Sequence, residues 1–138
     1  MQKKVEAILT LTMNAYKQCS DLFHEYYLNE FKNDIISVYQ HNKLILKFDE
    51  SIFNKFVDSG IMYRLGINSK KPNKKDIMYD LSEFVSPDNY SVSLDDVLEK
   101  LIYSAVPSNL IHQIKSRLSP NLDEYVVDLI ISKLETSV

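Results

Sequence analysis

Glycine is nearly missing from this chain: two in 138 residues, Gly60 and Gly66, with neither glycine nor proline before Gly60. Few turns can then use positive φ, which disfavours tight hairpins and favours helices. The single cysteine, Cys19, excludes an internal disulfide and fits a reducing compartment. Tryptophan is absent, and no apolar run approaches the roughly 20 residues of a membrane span. The opening Met-Gln-Lys-Lys-Val-Glu resembles a secretory leader, but Glu6 interrupts the apolar run and no small-residue cleavage site follows. A cytoplasmic location, in the producing cell or in a host, is the expectation.

What is present is ordinary for a folded protein. Hydrophobic residues at 45% and charged residues at 25% fit one globular domain over residues 1–138 and exclude wholesale disorder. Asn, Lys, Ile and Tyr are abundant, as AT-rich coding in a virus, phage or low-GC bacterium would produce.

The tail is the clearest stretch. Ser93-Leu-Asp-Asp reads as an N-cap with acids in the first turn, followed by Val97, Leu98, Leu101 and Ile102. A second helix carries Leu110, Ile111, Ile114 and Leu118, and a third carries Leu122, Tyr125, Val126, Leu129, Ile130 and Leu134. Pro107 and Pro120 stand at or near first helical positions, where proline is tolerated.

Upstream, Val5, Ile8, Leu9, Thr12, Tyr16, Cys19, Phe23, Tyr27, Phe31, Ile35, Val38 and Tyr39 hold one helical face. An unbroken rod here would span roughly 50 Å, beyond the roughly 30 Å of a small domain. A break at the N-cap pair Ser20-Asp21 is therefore expected. An unbroken rod would instead imply a homodimer.

Residues 49–59 read as a helix with Ile52, Phe53, Phe56 and Val57 inward, closed by Gly60. Residues 43–48 and 61–67 alternate like strands, which leaves two readings open: a small two-stranded element, or continued helix and packed loop. Asn68 to Lys75 is a loop, and a further helix runs from Lys75 to Val85. The fold expected is mainly α: an irregular bundle of six or seven helices.

Charge is divided. Residues 1–42 carry −1, residues 43–75 carry +5 and residues 76–138 carry −7. The basic block is Arg64, Lys70, Lys71, Lys74 and Lys75, with no acid between Asp58 and Asp76. It reads as a solvated loop or, functionally, as a grip on phosphates through counterion release. The acidic pI near 5.6 weighs against a general nucleic-acid binder.

Catalytic patterns are lacking. His24-Glu25 opens like a zinc-protease motif, but Leu28 stands where the second histidine belongs. His41 and His112 have no ligand neighbours, and Cys19 lies on the apolar stripe as a buried thiol would. The expectation is no enzyme, no cofactor and no metal. Nine tyrosines point to surfaces instead, because tyrosine is enriched at interfaces. Adjacent Tyr26 and Tyr27 cannot both face inward. The leading reading is a small regulatory or assembly factor that binds a partner protein, with Tyr26, Tyr27, Arg64, Lys70, Lys71, Lys74 and Lys75 as contact residues. The rival is a nucleic-acid-binding regulator using residues 60–76.

Overall fold

With nothing to stop it, the N-terminal stripe runs as one helix. The computed structural model describes residues 2–42, 50–68, 70–72 and 104–136, and its first element, α1, is the unbroken Gln2–Asn42. At 1.5 Å per residue its 41 residues reach about 60 Å. The expected break at Ser20-Asp21 does not occur, and both side chains are engaged elsewhere. Ser20 Oγ donates back to Lys17 O at 3.2 Å, and the Asp21 carboxylate is held by Arg117. Among the described side chains of α1, the buried ones run from Thr12 to Phe31, about 30 Å along the helix. Thr12 is buried because its hydroxyl bonds Ile8 O at 2.7 Å, so no polar group is stranded.

The second helix, α2, is Glu50–Arg64. It runs antiparallel to α1, with Phe53 on Phe31 (ring centroids 5.0 Å apart) and Asp58 at the level of His24. Gly60 does not end it. The apolar period continues from Phe53, Phe56 and Val57 to Ile61 and Leu65, all buried. Ile61 and Leu65 are four apart and share a helical face, so the apparent alternation over residues 61–67 is a helix end and a turn. Of the two readings for 61–67 the helical one therefore holds and the strand does not; the strand's proposed mate at 43–48 lies outside the described residues. The turn closes at Gly66, whose φ of +76° is the left-handed conformation that suits glycine at a helix C-terminus.

An antiparallel hairpin completes the body: α3, Ser108–Leu118, and α4, Glu124–Glu135. Pro107 is the N-cap of α3, while Pro120 lies in the connecting turn and Asp123 is the N-cap of α4. Leu110, Ile114 and Leu118 pack inward from α3, and Val127, Ile130, Ile131 and Leu134 from α4. The α4 stripe is rotated from the expected one. Tyr125 stands 72% exposed rather than in the core. The described chain is mainly helical, without strands, but its four helices do not match the expected six or seven; those expected at 75–85 and 93–102 lie outside the described residues. No described helix is long and apolar enough to cross a membrane.

Candidate functional site

Arg64, placed by the sequence among surface contact residues, is 7% exposed. From the last position of α2 its guanidinium donates to Ser104 O, to Leu134 O at 2.7 Å and to Thr136 O at 3.1 Å. The carbonyls of Leu134 and Thr136 sit at the C-terminus of α4, the negative end of its dipole. A buried cation with no carboxylate partner among the described residues is thereby balanced by oriented peptides. The exchange is mutual, because Lys133 of α4 donates Nζ to Leu65 O at 2.9 Å, in the turn that ends α2. Each helix thus supplies the cation that caps the other, and Val106 N adds a bond to Leu134 O at 3.2 Å.

Tyr27 belongs to the same region. It is 1% exposed, and burial pushes its hydroxyl up to about 12, with Arg64 opposing the rise. Burial likewise pulls the Arg64 guanidinium below its ordinary range. Tyr27 Oη and Arg64 Nε are both buried without a hydrogen-bond partner among the described residues. Tyr26 is half-buried and meets the Tyr27 ring edge-on at 5.0 Å. Lys70 and Lys71 are exposed on the loop, where Lys70 N bonds Asn68 Oδ1 at 3.0 Å. Lys74 and Lys75 lie outside the described residues. The structure therefore brings Tyr27 and Arg64 together in the interior and leaves the two described lysines apart from them.

A second polar cluster joins α1 to α2. Asp58 Oδ1 accepts from the Tyr16 hydroxyl and from His24 Nε2, the latter at 2.7 Å. Burial, then the bond to Asp58, raises the Tyr16 hydroxyl well above its usual range. His24 and Asp58 side chains are 23% and 39% exposed, so this is a pin between helices at the surface rather than a group in a cleft. No three potential metal ligands gather among the described residues. Cys19 is 1% exposed, and burial pushes its thiol up to about 11, which suppresses the thiolate that a nucleophile needs.

The outward surface is carried by α4. Tyr125 is exposed, Leu129 one turn on is half-buried, and Glu124, Asp128 and Glu135 are exposed beside them. Sequence reasoning missed this patch by placing Tyr125 inward. Seven of the twelve residues of α4 are apolar, so several phases of the stripe satisfy the helical period equally well. Only packing against α1 and α3 selects one.

Comparison with protein-family models, with curated proteins and with solved structures finds no match to this chain.

Proposed function

We propose that the protein is a non-enzymatic interaction module, a small regulatory or assembly factor that binds a partner protein through its surface. The observation that carries this reading is Tyr125. Every other aromatic side chain whose burial is described is buried or half-buried, whereas Tyr125 is 72% exposed and paired with Leu129 at helical spacing. An amphipathic ring at low entropic cost, beside an aliphatic side chain and rimmed by carboxylates, suits a partner with an apolar anchor and a basic border. The partner's on-rate would then be salt-sensitive.

The test is affinity capture from the native cell or host with wild-type protein and with Tyr125→Ala, Leu129→Ala and the double variant. Loss of the same partner in the variants, with helicity by circular dichroism unchanged, is the expected result. A partner retained at full yield by the double variant would remove this face. The rival, nucleic-acid binding through residues 60–76, is favoured by the exposure of Lys70 and Lys71 and weakened by the inward course of Arg64. A salt-sensitive mobility shift of labelled DNA or RNA, lost on Lys70→Ala with Lys71→Ala, would replace the leading reading with this one.

A further inference from the structure

The groove between α3 and α4 has walls of opposite sign. It holds about 450 Å³, and among the described residues Ala105, Val106, Ile111 and Ile131 form its apolar part. The α3 wall is Ser108, His112 and Lys115; the α4 wall includes Glu135, and at helical spacing the same edge continues through Asp128 to Glu124. Lys115, Glu124, Asp128 and Glu135 are all exposed, and none has an ion-pair partner among the described residues. One wall thus carries a single cation, Lys115, and the other three carboxylates, about one apolar floor, with none of these charges paired among the described residues.

We infer that this hairpin face binds a second copy of the chain, in an isologous dimer. A two-fold axis lying in the interface and parallel to the helices lays α3 of each copy over α4 of the other. Lys115 of each copy then meets the acidic edge of the other's α4. The hairpin itself sets the register. Val106 N bonds Leu134 O, so these residues are level, and in an antiparallel pair His112 is then level with Asp128 and Lys115 with Glu124. Across the axis, His112 faces the second copy's Asp128, and Lys115 faces its Glu124. Ile111 and Ile131 close the middle. Rotating the axis by a right angle within the interface would set α3 on α3 and like charges together, so charge selects the first arrangement. This face lies around α4 from Tyr125 and shares with that patch its carboxylates but neither Tyr125 nor Leu129, so self-association and partner capture are read separately.

Sedimentation velocity over a concentration series at low and physiological salt tests it. The expected species is a dimer that weakens as salt rises. Lys115→Glu and Glu124→Lys should each weaken association by roughly tenfold, and the double exchange should restore most of it. Both residues are exposed, and an unchanged circular dichroism spectrum confirms that the variants fold. A monomer across the whole series overturns the inference. So does a dimer indifferent to both reversals, or two damaging reversals that the double exchange fails to rescue.

Discussion

Two arginines hold helix ends in this molecule, at opposite ends of the bundle, and their surroundings are inverted. Arg64 is buried, reaches only backbone carbonyls among the described residues, and joins α2 to the close of α4. Arg117, at the far end of α3, is exposed and has what Arg64 lacks, a carboxylate: it pairs with Asp21 and adds a bond to Gln18 O at 3.2 Å. Counting ion pairs would rank Arg117 higher. Physical chemistry reverses the order. An exposed pair gains little over its hydration and is screened by salt. Around the Arg64 guanidinium the bond to Leu134 O is buried and those to Ser104 O and Thr136 O are part-buried, so its removal strands acceptors that water reaches poorly.

The largest expected effect follows directly. Arg64→Ala leaves the carbonyls of Ser104, Leu134 and Thr136 each short of a donor, and should lower unfolding stability by roughly 2–3 kcal/mol. Arg64→Lys keeps the charge but offers a point cation in place of a planar fork, so about half of that loss is expected. Urea unfolding followed by circular dichroism measures both. A loss in Arg64→Ala no greater than in Arg117→Ala would break the comparison, since burial would then not be what separates the two.

Burial also predicts an alkaline limit, of intermediate size. The Cys19 thiol is held up to about 11, so the folded state keeps its proton after the unfolded chain has released it. Stability contributed by this group is complete below about pH 8.5 and is lost as pH rises toward 11. The loss should reach roughly 2–2.5 kcal/mol by pH 10.5. Tyr27, held up to about 12, joins above about pH 10 with the same sign. Unfolding compared at pH 8 and pH 10.5 should show a smaller pH effect in Cys19→Ala than in wild type. Equal pH effects in the two proteins would mean that the thiol is not as enclosed as its 1% exposure implies.

These contrasts mark how far the sequence was legible. The Thr12–Phe31 stripe, the helix beginning near residue 50 and the inward residues of α3 could be read because each repeats at the helical period with polar residues opposite. The continuation of α2 through Gly60 could not. Glycine inside a helix costs about 1 kcal/mol, and here the full burial of Ile61 and near-full burial of Leu65 outweigh it. The inward turn of Arg64 left no signal, because its partners are backbone atoms at sequence separations of 40 to 72 residues. The Asp58 pin to Tyr16 and His24 was hidden for the same reason: it needs two helices to be set side by side before the residues have anything to do with one another. Tyr125 was misplaced because a helix apolar over most of its circumference does not declare which side is covered.

The smallest expected effect sharpens the comparison from its other side. Arg117 lowers the pKa of Asp21 by hydrogen bonding, so the folded carboxylate stays ionised at pH values where the unfolded one is protonated. The stability this pair contributes is therefore present above the ordinary aspartate pKa, about 4, and is lost as pH falls through the depressed folded value. Near neutrality and at physiological salt, Arg117→Ala should leave the urea midpoint almost unmoved, because both side chains stay largely in water in the folded state. At low salt a small difference should emerge, and it should shrink on acidification as the Asp21 carboxylate is protonated at its depressed folded value. A difference that persists at high salt and low pH would mean that the guanidinium works through Gln18 O as a cap on packed backbone. Arg117 would then be a weaker copy of Arg64 rather than its opposite.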